Sequence, residues 1–378
     1  MQLIKANRDA ILKPLQVVSG IVERRHTLPI LANILIRKQG DEVSFLGTDI
    51  EIQIRTAAQL ANGGEDAATT VSARKLLDIL RALPDGEVAM DLAAKRLTVK
   101  SGKSRFALQT LGADEFPTVA VAEQWAASLT IPQKRLRHLF HMVHFSMAQQ
   151  DIRYYLNGLL WVVEGTMVRV VATDGHRLAY SACDLAEGAA ADAPPAPAVS
   201  SRIEVIVPRK TVLELQRLLD DSDEPVTIDV AANQIRFRFG SVELVSKLIE
   251  GKFPDYQRVI PTGYQREVQL DRPLLAGSLA RAAILTSDKF KGVRFTLAPG
   301  ALKIQVTNAE QEEAVEELDV DYGGEQLEIG FNVAYLLDAL NNLKSEQVTL
   351  QFGDANSSAL MTVPGDESFK YVVMPMRI

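Results

Sequence analysis

Apolar positions along the chain switch between two periods, and the same alternation returns three times. Residues 2–6 read as a short strand, residues 8–18 carry apolar side chains at helical spacing, and residues 30–36, 42–46 and 50–55 alternate with the period of half-buried strands. The pattern then restarts. Residues 69–71 form a strand, residues 73–83 a helix closed by Pro84-Asp85-Gly86, and residues 88–92, 97–99 and 106–110 form further strands. One copy is thus two strand-helix-strands units, each helix having an apolar stripe to bury on a sheet.

The second copy predicts a strand at 128–131, a helix at 133–145, a hairpin of strands 167–172 and 177–181 across Thr173-Asp174-Gly175-His176, a strand at 204–207 and a helix at 209–219. The third predicts strands at 267–270, 302–306 and 326–329 with helices at 273–285 and 333–343. Each copy also has a strand ending in Thr48-Asp49, Thr173-Asp174 or Thr307-Asn308, followed about seventy to eighty residues later by Phe116-Pro117, Phe253-Pro254 or Met374-Pro375. A repeat this long means three similar domains of α+β class, expected at 1–125, 126–257 and 258–378. The Ala/Pro-rich stretch 186–199 reads as a surface insertion in the second copy.

Composition adds limits. A net charge of -7 argues on its own against a nucleic-acid partner, but a local basic track can hide under an acidic average. The single cysteine, Cys183, excludes an intramolecular disulfide and a cysteine-based zinc cluster; no metal or cofactor is expected. Without a signal-peptide pattern or a long apolar run, the expectation is a cytoplasmic protein with no membrane partner.

Charge is distributed unevenly. On the helix at 133–145, Leu136, Leu139, Phe140 and Val143 form one stripe, while Lys134, Arg137, His138, His141 and His144 form an opposite face without an acid. Arg74, Lys75 and Arg81, then Arg209, Lys210 and Arg217, bias two other helices, and Arg24-Arg25-His26 forms a basic loop. The first copy has a basic run at Lys95, Arg96, Lys100, Lys103 and Arg105. The third has an acidic run at Glu310, Glu312, Glu313, Glu316, Glu317 and Asp319. Opposite charge at the two ends fits head-to-tail association into a closed ring, though two independently solvated strands explain the charges equally well.

Catalysis has one foothold, Asp174 and His176 near Ser181 and Cys183. The other two turns lack the histidine, and Asp-Gly between alternating strands is first a hairpin signal. No phosphate loop, dinucleotide fingerprint or zinc-protease motif occurs.

Long words in one order carry a resemblance: Lys13-Pro14-Leu15, Thr27-Leu28-Pro29-Ile30-Leu31, Asp151 through Gly158, Ala172 through Leu178, Phe253-Pro254-Asp255-Tyr256 and Tyr371 through Arg377. From end to end the chain resembles the beta subunit of bacterial DNA polymerase III, the sliding clamp. That resemblance implies three DNA clamp domains per subunit, helices lining a ring with antiparallel sheets outside, and a head-to-tail homodimer around double-stranded DNA. Implied protein partners are the DNA polymerase III catalytic subunit, the clamp-loader complex, and other polymerases and repair proteins that bind through a short peptide motif.

By the same resemblance, DNA contacts fall on Arg25, Arg74, Gln149, Gln150, Tyr154 and Tyr155. A partner-peptide groove falls on Leu156, Thr173, Gly175, His176, Arg177, Leu178, Pro254, Arg258, Val259, Phe290, Asn332, Tyr335, Val372, Val373, Met374, Pro375, Met376, Arg377 and Ile378. The dimer interface falls on Phe106, Leu108, Ile284 and Leu285. Pattern alone would read the terminal stretch as a closing core strand. Gln149 replaces a familiar histidine, and Ile378 a familiar terminal leucine. A peptide-binding scaffold that never meets DNA is the rival reading; it would explain the groove but not the acid-free helix face.

Overall fold

The computed structural model describes residues 1–23, 28–61, 63–187, 199–287 and 291–378. Among these lie seven helices: α1 Arg8–Ser19, α2 Ala73–Ala82, α3 Gln133–Val143, α4 Arg209–Leu218, α5 Tyr256–Val259, α6 Arg272–Ala282 and α7 Val333–Asn342. Six answer the predicted helices. The single turn of α5 is too short to show a period, so the patterning misses it. The predictions at 133–145 and 273–285 overrun, because α3 and α6 tighten into 3-10 turns at His144–Ser146 and Ala283–Leu285. Side-chain caps fix several starts: Asn7, Ser72, Asp271 and Asn332 each accept a hydrogen bond from an N–H in the first turn of α1, α2, α6 and α7.

The strands follow one rule in all three domains, in which the two halves exchange their first strands. In the first domain Gln2–Asn7 pairs with Glu87–Ala93, and Ala67–Ser72 pairs with Asn33–Gln39. In the second, Ala127–Pro132 pairs with Pro225–Val230, and Val199–Pro208 with Gly158–Gly165. In the third, Arg266–Asp271 pairs with Gln347–Phe352, and Leu327–Asn332 with Gly292–Ala298. Every one of these ladders is antiparallel. Gly158–Gly165 went unpredicted because six consecutive buried residues hide the alternation.

Edge strands join neighbouring domains. Ile52–Gln59 pairs with Val242–Lys247, giving a twelve-stranded sheet, and Arg177–Asp184 pairs with Asp366–Val373, giving an eight-stranded one; a four-stranded sheet completes the set. Because both joins involve the middle domain, the chain divides into two compact units that split it: Met1–Lys134 with Arg217–Leu248, and Arg135–Gln216 with Ile249–Ile378. In the first unit α1 buries Ile11, Leu15 and Val18. It lies so close to the strand Glu42–Thr48 that a Cβ on Gly47 would stand 2.5 Å from the Val18 carbonyl oxygen. The second unit buries Trp161 and Tyr371, with Phe331 edge-on to Phe295 and tilted against Phe352.

Of the six strands that end a half-domain, four are used in these two joins and two are not: Ser104–Leu111, which touches Ala67–Ser72 only at its last two residues, and Glu313–Asp319.

Candidate functional site

The Thr-Asp words of the repeat build the same turn twice. In the second domain Thr173 Oγ1 donates to the Arg177 carbonyl at 2.6 Å and accepts from Gly175 N–H at 3.1 Å, while Asp174 Oδ1 accepts from the N–H groups of His176 and Arg177 at 2.9 and 3.1 Å. In the first domain Thr48 and Asp49 make the corresponding bonds to Ile50, Glu51 and Ile52. The third position of both turns is left-handed, φ +88° at Gly175 and +72° at Ile50.

What stands on the turn separates the copies. A Cβ on Gly175 would meet the Arg153 guanidinium at 2.7 Å. Arg153 in turn is held by both oxygens of Asp151 at 3.0 and 2.8 Å and donates to the Asp174 carbonyl at 3.0 Å. Hydrogen bonds from Arg153 hold the Asp151 carboxyl down at about 2. Asn157 closes the loop by accepting from Asp151 N–H and donating to Asp151 O, both at 2.9 Å. This loop carries four of the candidate DNA contacts: Gln149 and Gln150 are exposed, Tyr154 is 58% exposed, and the half-buried Tyr155 packs edge-on against it. Arg74 lies in the other unit, exposed on α2 and paired with Asp78 at 3.6 Å. Arg25 lies outside the described residues, as does Phe290 of the groove set.

Of the groove candidates, Leu156, Leu178 and Val372 belong to one buried apolar cluster with Phe253, Tyr256 and Leu360. Thr173 and Val373 are buried beside them. Exposed around this floor are Gly175, His176, Arg258, Val259, Met374, Met376, Arg377 and Ile378, with Pro254, Asn332, Tyr335 and Pro375 half-buried. The last strand ends at Val373, so the five terminal residues do not continue it as pattern alone would have them do. Instead Met374 N–H donates to the His176 carbonyl at 2.9 Å and Met376 N–H to the Gly330 carbonyl at 2.7 Å. Ile378 lies over bare backbone: a Cβ on Gly330 would meet its Cδ1 at 2.6 Å, and one on Gly292 its Cγ1 at 3.2 Å.

Two polar groove candidates prove to be committed. Asn332 Oδ1 caps α7 through Ala334 N–H at 3.0 Å. Arg177, with a side chain 10% exposed, donates to Asp174 at 3.0 Å, Asp338 at 2.6 Å and the Phe145 carbonyl at 2.6 Å, and lies 4.4 Å from the centre of the Tyr335 ring. Burial works against its charge, but Tyr371 and the two carboxylates outweigh that and raise its pKa. Sequence reasoning missed Arg153 and Asp338, and read Arg209 only as part of a basic helix bias. Arg209 donates to the carbonyls of His144 and Met147 at 3.4 and 3.2 Å, its pKa lowered by burial and by Arg177. Gln149, His176, Arg177, Arg209 and Tyr335 together line a polar cavity of about 390 Å³, which brings one candidate DNA contact and three groove candidates to one place.

The suspected catalytic set does not form. Asp174 is occupied by the turn and by Arg177, Ser181 is buried within its strand, and burial pushes the Cys183 thiol up to about 11, away from the thiolate a nucleophile needs. On the edges, Phe106 is exposed and Leu108 half-buried in Ser104–Leu111; after α6, Ile284 is 76% exposed and Leu285 half-buried.

Models of the N-terminal, central and C-terminal domains of DNA polymerase III beta subunit match residues 1–120, 130–255 and 257–377 in order. The chain belongs to the DNA polymerase III beta subunit family. A beta sliding clamp of Pseudomonas putida is 48% identical over 374 residues, covering 98% of each chain. The crystal structure of the Pseudomonas aeruginosa DNA polymerase III subunit beta is 46% identical with a TM-score of 0.93, and its complex with griselimycin is also 46% identical with a TM-score of 0.92. Coverage is complete for both chains in each pair. Membership brings the DNA clamp fold in three copies and a non-catalytic part in DNA replication.

Proposed function

We propose that two copies of this chain close head to tail into a six-domain ring around duplex DNA and tether the DNA polymerase III catalytic subunit to it. The observation that carries the reading is the order of edge pairing. In each internal join the outer strand of a domain's first half pairs with the outer strand of the next domain's second half, Ile52–Gln59 with Val242–Lys247 and Arg177–Asp184 with Asp366–Val373. Continuing that rule, the third domain's Glu313–Asp319 seeks the second-half edge of a first domain. Ser104–Leu111 is such an edge, and both strands are left over. A heterologous contact of this kind gives a closed ring when its rotation closes.

Chemistry supports the same pairing. Lys103 and Arg105 stand exposed on one edge, and Glu313, Glu317 and Asp319 on the other; Phe106, Leu108, Ile284 and Leu285 supply apolar surface. Enclosure then holds DNA by topology, so the contacts at Arg25, Arg74, Gln149, Gln150, Tyr154 and Tyr155 need only be weak and blind to sequence, which sliding requires. The groove built on Leu156, Leu178 and Val372 would take a short peptide of the polymerase, and of the clamp loader and other polymerases and repair proteins in turn. The flexible side chains of Met374 and Met376 suit a site with several occupants.

Domain limits at 1–125, 126–257 and 258–378 belong to this reading and are supported by the three matched spans. So does a cytoplasmic location; no helix among the described residues is long and apolar enough to cross a membrane. Sedimentation tests the closure. Lys103→Glu with Arg105→Glu should yield monomers that no longer support processive synthesis, and adding Glu313→Lys with Glu317→Lys should restore both. A double-Glu variant that remains a full-strength dimer would refute the proposed edge.

A further inference from the structure

The strand Asn33–Gln39 alternates so that Ile34, Ile36 and position 38 share one face. Ile34 and Ile36 are fully buried, and position 38 is a lysine only 4% exposed. An ammonium at a core-facing position is costly unless paired. Yet among the described residues Lys38 Nζ reaches a single acceptor, the Gln2 carbonyl at 3.3 Å, and no carboxylate. Among the described residues, two of its three N–H groups have no protein acceptor.

Those donors face room. Lys38 lines a cavity of about 260 Å³ together with Gln2, Lys5, Gly63, Gly64 and Glu65. Gly64, at φ +90°, keeps it open: a Cβ there would stand 3.3 Å from the Lys38 nitrogen. Lys5 adds a second positive charge, partly offset by Glu87 at 3.5 Å, and the one acid in the lining, Glu65, is exposed. The cavity lies within the first unit, and none of the docking-groove or dimer-edge candidates lines it.

We propose that this cavity binds a small oxyanion of phosphate size, with Lys38 as its charge anchor. The anion accepts the two free N–H groups of Lys38 and neutralises the buried charge, so binding stabilises the folded first unit. Calorimetric titration of the full chain with inorganic phosphate at constant ionic strength tests it. One saturable site is expected, with a rise in the thermal midpoint over equivalent chloride; sulfate should compete and citrate should not.

Lys38→Met, similar in length and suited to the core, should fold while weakening phosphate at least tenfold and abolishing the thermal shift. Glu65→Gln should bind phosphate as well or better. No saturable phosphate binding by the unmodified chain would overturn the proposal, as would equal binding by Lys38→Met. A Glu65→Gln variant that is destabilised and binds no phosphate would overturn it too, because the partner of Lys38 would then be Glu65.

Discussion

Ile50 and Gly175 fill the same position of two copies of one turn, and their neighbours explain the different choices. Gly175 is needed twice over, for its left-handed φ and for the Arg153 guanidinium resting on it. Ile50 has only the strained φ of +72°. A left-handed conformation costs a residue with a Cβ roughly 1–2 kcal/mol, so Ile50→Gly should raise stability by about 1 kcal/mol once the greater freedom of unfolded glycine is subtracted. Urea unfolding should show a higher midpoint at unchanged slope. Gly330 works oppositely, because a Cβ there collides with the Met376 carbonyl oxygen at 2.3 Å and with Ile378. Gly330→Ala should lift the C-terminal tail and weaken binding of a polymerase-derived peptide about tenfold, or about 1.4 kcal/mol, without changing dimerisation. Fluorescence anisotropy with a labelled peptide reads the first effect, sedimentation the second.

Among the elements, the turn at Thr173–Arg177 is fastened to α7 by Arg177, which bonds Asp174 beside it and Asp338 on the helix. Removing one partner of a buried ion pair costs about 3–5 kcal/mol. Because Asp338 is nearly half exposed, Arg177→Met should cost less, about 2–3 kcal/mol, read as a lower thermal midpoint of the unit formed by residues 135–216 and 249–378. None of this was legible in the sequence. Asp338 lies 161 residues from Arg177, so no local spacing announces the pair. By contrast the six longer helices were legible from their apolar stripes, and the Thr-Asp words because a turn closed by its own side chains needs no distant partner.

On the same unit, burial lowers the pKa values of His141 on α3 and His144 in the 3-10 turn after it, and Lys344, Arg137 and Arg209 press in the same direction while backbone hydrogen bonds oppose it. The folded state therefore holds these rings neutral more firmly than the unfolded chain does. Their contribution is present above about pH 6.5, the ordinary histidine value, and is lost as pH falls through the lower folded values. A His141→Gln, His144→Gln variant should show a flatter stability profile below about pH 6.5; an unchanged slope in calorimetry would exclude these two rings as the source.

Over the whole molecule, a net charge of -7 coexists with a DNA-encircling role because charge is sorted by place. The first domain presents a basic outer edge and the third an acidic one, so the same asymmetry that directs closure also leaves a predominantly acidic chain that competes poorly for DNA outside the ring. The repeat makes three domains with two joins, which leave over the last strands of two half-domains, Ser104–Leu111 and Glu313–Asp319. In the proposed ring, which edge meets which follows from strand order, and that order depends on the first strands crossing between halves.

Topological retention tests the ring most directly. The protein is assembled by its loader on a nicked DNA circle, washed in moderate salt, and measured before and after the circle is cut to a linear form. The account predicts stable retention on the circle and rapid loss through the free ends after cutting, and equal retention on both forms would contradict it.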